Sequence, residues 1–104
     1  MAWWYLLIAG LFEVVWAVAM KLSLGFTKPL PTVITIIGMV ISFVFLSFAL
    51  KNLPLGTAYA VWTGIGAIGT AVIGILWLGD PAYFSRIFFL VMILGGLIGL
   101  KWVS

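Results

Sequence analysis

Long apolar stretches dominate the chain, and the few charged or turn-forming residues fall between them. A helix that crosses a hydrocarbon core about 30 Å thick needs about 20 apolar residues, and four such stretches fit within the chain. The connectors carry lysines, prolines and glycines, which end helices or form turns. The pattern therefore predicts an all-α membrane protein in which residues 1–104 form a single four-helix transmembrane domain. The predicted helices cover about 3–21, 32–50, 55–78 and 83–103.

The composition supports lipid as the solvent of these helices. Of the 104 residues, 66% are hydrophobic and 7% charged, far from the usage of soluble domains. The net charge of +3 comes from residues at helix ends, without the basic cluster of a nucleic-acid-binding protein. The sequence has no cysteine, which excludes disulfides and thiolate metal sites. A cleaved signal peptide is disfavoured because residues 1–4 carry no basic side chain and Glu13 interrupts the first apolar stretch.

The basic side chains are nearly balanced between the two ends of the predicted bundle. Four helices place both termini on one side of the membrane, and that side carries fewer basic side chains than the other. Because the difference is small, insertion in both orientations is one interpretation, and a single orientation fixed by another preference is the alternative. The basic residues are Lys51 and Lys101 on the side of the termini, and Lys21, Lys28 and Arg86 on the other.

Glu13 lies near the middle of the first predicted helix and is the one acidic residue inside a span. An ionised side chain at that depth costs roughly 2.5 to 3.5 kcal/mol on the insertion scale, so a functional cause is expected. Burial disfavours the charged form, and such a carboxyl can hold a proton or release it to receive a cation. The alternative is a structural carboxyl that stays protonated and hydrogen-bonds a neighbouring helix.

Small and aromatic residues share the helix face of Glu13. Gly10 and Trp16 lie three residues to either side, and alanines lie at a distance of four. Small side chains there either leave room for a ligand, with Gly10 lining the pocket, or let another helix approach closely. The Trp16 indole can stack on a cation or donate a hydrogen bond to the carboxylate, and a packed core tryptophan is the alternative.

The second and third helices add further candidates for the site. Ser42 is the most central hydroxyl of the second helix, although such residues often bond their own backbone or a neighbouring helix. Tyr59 and Trp62 share one face of the third helix, where they can complete an aromatic cage around a cation. For Tyr59 an anchoring role at the membrane interface is an equal alternative.

Glycines mark the places where helices bend or meet. Gly64 and Gly66 weaken the third helix, where a hinge would let two conformations interconvert, and close helix packing is the competing explanation. In the fourth helix, Gly95 and Gly99 form a Gly-xxx-Gly face that favours helix contact and hence an oligomer. Four helices are few to enclose a water-accessible path, whereas two antiparallel copies would resemble the inverted repeats of many transporters.

Three segments together resemble the small multidrug resistance family of transporters, and most of all its guanidinium-exporter branch. They are Gly-Leu-Phe-Glu-Val-Val-Trp-Ala at 10–17, Ser-Leu-Gly-Phe-Thr at 23–27, and Leu-Pro-Leu-Gly-Thr-Ala-Tyr-Ala-Val-Trp-Thr-Gly-Ile-Gly at 53–66. The resemblance implies an antiparallel, dual-topology homodimer that exchanges protons for a cationic substrate. It also implies that Glu13 of both subunits forms the shared site.

The resemblance also implies a role for each of the other predicted site residues. Trp16 and Ser42 are similar to the guanidinium branch, in which they would hydrogen-bond and orient the carboxylates. Tyr59 and Trp62 would line the pocket and gate it.

The leading hypothesis is proton-coupled export of guanidinium and small guanidinyl cations across the bacterial cytoplasmic membrane. The expected partners are the cation, membrane lipid and a second copy of the chain, with protons as the coupling ion and no other cofactor. Export of quaternary ammonium compounds is the nearest alternative, since these cations need aromatic cages but lack N–H donors. A passive cation channel and a structural assembly subunit are further alternatives. Enzyme activity is disfavoured because the sequence has no histidine or cysteine and a single acid at depth.

Overall fold

Four α-helices build the computed structural model, which describes residues 2–103. Each of them is long and apolar enough to cross a membrane. The predicted all-α class with four membrane-spanning helices is therefore confirmed, and the protein is an integral membrane protein. The helices are α1 (Ala2–Leu22), α2 (Pro29–Leu50), α3 (Leu55–Trp77) and α4 (Phe84–Trp102).

Helix α2 begins at Pro29, before the predicted start at 32. Lys28 is its N-cap residue, so Pro29 and Pro31 both lie in the first turn. Proline has no backbone N–H, but the N–H groups of a first helical turn have no partner inside the helix. The two prolines therefore fit the start of the helix, and the prediction that they belong to the connector was wrong.

Helix α1 is the centre of the subunit. It packs against both α2 and α3, while α4 contacts α3. The principal extents of the subunit are 41 × 35 × 16 Å. A thickness of 16 Å leaves room for at most two helix layers at the usual spacing of about 8 to 10 Å. The four-helix bundle therefore has little interior, and most of its large apolar side chains are exposed.

The small core lies where the first half of α1 meets α2 and α3. Leu6 and Ala9 of α1, Ala49 of α2 and Ala58 of α3 are fully buried there. Alanines at these positions let the helix backbones approach closely, as is common in membrane proteins. Large apolar side chains are mostly exposed outside this core, and none of the residues 84–102 in α4 is buried.

Candidate functional site

The Glu13 side chain lies against the backbone of α3. It packs on Gly66, where an added Cβ would overlap the carboxylate. Its Oε1 atom is buried and has no hydrogen-bond partner among residues 2–103. Leaving a buried polar group unsatisfied costs about 1 to 3 kcal/mol, and more when the group is charged. Gly66 thus makes the space for the carboxylate, and Oε1 is an acceptor that a donor from outside the subunit can satisfy.

The Trp16 indole, one helical turn further along α1, is a buried donor without an acceptor. Its Nε1 atom forms no hydrogen bond with any residue that the structure describes. Helix α2 approaches it closely at Gly38, where an added Cβ would lie 3.2 Å from the Trp16 Cβ. An unpaired acceptor on Glu13 and an unpaired donor on Trp16 therefore lie three residues apart on one helix.

Ser42 connects the three packed helices. Its hydroxyl donates to the Ala9 carbonyl oxygen of α1 at 2.7 Å and accepts from Trp62 Nε1 of α3 at 2.9 Å. Ser42 is fully buried and Trp62 nearly so. Because a hydroxyl has one proton, and this one is used on Ala9, Ser42 cannot also donate to the Glu13 carboxylate in this conformation. The predicted orienting role of Ser42 remains a prediction for another conformation or for an assembly.

Aromatic rings form a row across the three packed helices. The centroid distances along the row are 6.5, 5.7 and 5.4 Å, within the range of about 4.5 to 7 Å typical of aromatic pairs. Phe43 and Tyr59 are about half exposed, so the row is only partly covered within the chain. Phe43 does not stand out in the sequence because α2 is apolar along most of its length, and the position of Phe43 beside Ser42 is the one available signal. The order of the rings is Trp16, Phe43, Trp62, Tyr59.

Gly10 and Gly64 are positions of close helix packing. An added Cβ would overlap Ile65 of α3 at the first and Leu97 of α4 at the second. Helix α3 runs without a break through Gly64 and Gly66. In this conformation the glycines let helices approach closely, which is one of the two interpretations that the sequence allows. A pocket-lining role for Gly10 and a hinge in α3 remain predictions.

Gly95 and Gly99 lie on an open face of α4. An added Cβ at either position would meet no atom of the described residues within 4 Å. The predicted oligomer face is therefore not used for packing inside the subunit, and it is accessible to another helix.

Comparison with known proteins shows to which family the chain is similar. The model of a family described as Small Multidrug Resistance protein matches residues 1–93. A guanidinium exporter from Yersinia pseudotuberculosis is 55% identical over 104 residues, which is 100% of each chain. Guanidinium exporters from Salmonella typhimurium and Citrobacter freundii are 57% and 55% identical over 101 residues, or 97% of this chain and 96% of theirs. The likeness to these bacterial proteins thus covers almost the whole chain, including every predicted site residue.

Proposed function

This chain belongs to the small multidrug resistance family, and we propose that it exports guanidinium and small guanidinyl cations in exchange for protons. The working unit is an antiparallel homodimer in the bacterial cytoplasmic membrane. Glu13 of both subunits binds either the cation or protons, which serve as the coupling ion. The residues of the proposed site are Glu13, Trp16, Ser42, Tyr59 and Trp62.

The unpaired acceptor on Glu13 is the observation that carries this proposal. A guanidinium ion presents several N–H donors in one plane, a geometry that matches a carboxylate through two parallel hydrogen bonds. The Oε1 atom is buried beside Gly66 and has no donor among residues 2–103. A guanidinium ion would supply that donor and would also compensate the charge.

The Trp16 indole supports the presence of a second subunit. Its N–H is a buried donor, and buried donors in proteins are nearly always paired. A Glu13 carboxylate from a second copy would supply the acceptor. The thin subunit and the uncovered α4 leave surface for that copy, and the near-even charge of the two ends suits opposite orientations.

Exchange follows because the proton and the cation compete for the same carboxylates. A protonated Glu13 is neutral and does not attract a cation, whereas loss of the proton restores the negative charge. Each ligand therefore has to leave before the other binds, which couples the two fluxes. Lowering the pH on one side of the membrane should release the cation on that side, and raising the pH should favour its binding.

The half-exposed rings of the aromatic row favour a second candidate, export of quaternary ammonium compounds. Phe43 and Tyr59 are each about half exposed, and aromatic faces attract cations that have no N–H donors. Such a cation would leave the buried Oε1 of Glu13 without a hydrogen bond. The geometry therefore supports guanidinium more directly.

Purified protein in liposomes that contain a pH-sensitive dye tests the proposal. A guanidinium gradient should drive protons in the opposite direction, and the dye should report the resulting pH change. Glu13→Gln should abolish both the guanidinium flux and the pH change, because an amide does not ionise. Glu13→Asp is the matched control, since it keeps the charge on a shorter side chain and should retain part of the exchange.

Each other result of this assay contradicts a specific part of the proposal. Proton exchange with tetramethylammonium but not with guanidinium would favour the second candidate. Guanidinium flux without a pH change in the unmodified protein would indicate a passive channel. Undiminished coupled exchange in Glu13→Gln would show that the site lies elsewhere.

A further inference from the structure

A second carboxylate lies in the loop between α3 and α4, and a guanidinium group of the chain itself is bound beside it. Arg86 Nη1 donates to the carbonyl oxygen of Pro81 at 2.6 Å. Arg86 Nη2 lies 3.8 Å from Asp80 Oδ2. A carbonyl thus accepts a hydrogen bond from one nitrogen of the planar guanidinium, and a carboxylate lies near a second nitrogen and supplies the opposite charge. We call the Asp80 carboxylate and the Pro81 carbonyl the loop site.

The backbone positions the Asp80 carboxylate independently of Arg86. Gly79 has a φ of 75°, in the left-handed region that glycine tolerates, and this reverses the chain after α3. The Asp80 N–H then donates to the Gly74 carbonyl oxygen at 2.9 Å. The carboxylate packs on Gly74 itself, where an added Cβ would overlap it. The acceptors of the loop site should therefore stay in place when Arg86 moves away.

The ion pair of Arg86 with Asp80 is weak enough to exchange. The side chains are 32% and 35% exposed, and their separation of 3.8 Å is long for a charge-assisted hydrogen bond. Partly exposed ion pairs of this kind contribute little to stability. A guanidinium ion from solution can therefore compete with Arg86 for the loop site.

A cavity of about 370 Å³ adjoins the loop site, and residues of α1 and α3 line it together with Asp80 and Arg86. Two of its lining residues are close in sequence to the proposed main site: Ala17 is one helical turn beyond Glu13, and Ala67 is the neighbour of Gly66. Glu13 itself does not line the cavity. The lining residues include Ala17, Lys21, Ala67, Thr70, Asp80 and Arg86.

We propose that the loop site is a peripheral binding site for guanidinium cations, occupied by Arg86 until the transported cation displaces it. Lys21 lines the same cavity, and its positive charge keeps the affinity low, so that a bound cation passes on. The role of the loop site in transport rests on the proposed function, but the binding of guanidinium to the loop site does not. In an antiparallel dimer, one loop site would face each side of the membrane, one for entry and one for release.

Binding of radiolabelled guanidinium to the purified full-length chain tests the loop site when Glu13 is replaced. In the Glu13→Gln background the main site is absent, so residual binding reports the loop site. Adding Arg86→Gln should tighten this binding about fivefold, the factor expected when a competing exposed ion pair is removed. Adding Asp80→Asn as well should abolish it. Tetramethylammonium should not compete, because it has no N–H donor for the Pro81 carbonyl.

The matched control is Lys28→Gln in the same background. It removes one positive charge from the same end of the bundle, but Lys28 does not line the cavity. An equal gain in guanidinium affinity in this control, or binding that persists after Asp80→Asn, would overturn the proposed loop site.

Arg86→Lys is a second variant in case Arg86→Gln does not fold. It should also bind guanidinium more tightly than the background does, because the lysine side chain lacks the planar fork of arginine. Since none of these variants contains Glu13, failure here is separate from failure of the transport assay.

Discussion

The first three helices and α4 are held in the subunit in different ways. Helices α1, α2 and α3 share a buried core and the hydrogen bonds through Ser42, and each carries residues of the proposed site. Helix α4 packs mainly on α3, with Lys101 Nζ also 5.1 Å from the centroid of the Trp3 ring of α1, and none of its residues 84–102 is buried. Packing within one subunit therefore positions the side chains of the site, whereas α4 presents its surface outward. We therefore expect α1–α3 to carry the chemistry of the proposed site and α4 to serve the proposed assembly.

The largest effect is expected for Gly66→Ala, which places a methyl group on the Glu13 carboxylate. The added Cβ would overlap the carboxylate, so Glu13 has to leave its position against α3. A displacement of this kind should reduce guanidinium exchange about a hundredfold, the loss typical of a misplaced functional group. Initial rates of exchange in liposomes at equal protein density measure it.

Gly56→Ala is the control on the same helix. An added Cβ at Gly56 meets no described atom within 4 Å, so the same substitution is made on α3 without an overlap. Similar losses of exchange in both variants would mean that close contact at Gly66 does not position the Glu13 carboxylate. The packing of α1, α2 and α3 would then no longer explain how the proposed site is positioned.

The sequence predicted the helices well because the thickness of a membrane fixes the length of an apolar helix. The third helix was expected at 55–78 and is found at Leu55–Trp77. The start of α2 was wrong because Pro29 and Pro31 act as helix breakers in general but are tolerated in a first turn.

The candidate site was only partly predictable from sequence. Glu13 stands out because a single acid in an apolar span is costly, whatever surrounds it. The hydrogen bond partners of Ser42 depend on how three helices cross, and sequence spacing contains no information about that geometry. For the same reason the sequence did not show whether Gly66 bends α3 or accommodates the Glu13 side chain.

A smaller effect is expected for the double variant Gly95→Val and Gly99→Val, which replaces both glycines of the open α4 face. This variant should change only the assembly of the chain. The new side chains meet open space within the subunit, so its fold should be kept. At a close crossing of two α4 helices they would cost about 1 to 3 kcal/mol and weaken dimerisation about tenfold or more. Cross-linking in liposomes over a range of protein densities measures the dimer fraction.

Gly96→Val is the comparison for the α4 face, because Gly96 is rotated by roughly 100° from Gly95 and by about 60° from Gly99 around the helix and so lies towards the edge of this face. It should lower the dimer fraction less than the double variant does. A double variant that dimerises normally would show that α4 does not serve assembly through this face.

The smallest effect is expected for Ser42→Ala, which tests whether the hydrogen bonds of Ser42 hold α1, α2 and α3 together. Removing the hydroxyl leaves the Trp62 N–H buried without an acceptor, at a cost of about 1 to 3 kcal/mol in the free energy of unfolding. Exchange should continue at a reduced rate, because Glu13 is still present. Thermal unfolding in detergent, followed by tryptophan fluorescence, measures the loss of stability.

Ser47→Ala is the matched control on the same helix, since the exposed Ser47 hydroxyl donates only to the Val44 carbonyl of its own helix at 2.7 Å. Its removal should change the stability by less than about 0.5 kcal/mol. If both serine variants lose the same stability, the hydrogen bonds of Ser42 do not hold α1, α2 and α3 together. Close packing alone would then explain why α1, α2 and α3 are held together more firmly than α4. Substitutions at Gly38 and Gly66 would become the decisive tests of how the proposed site is positioned.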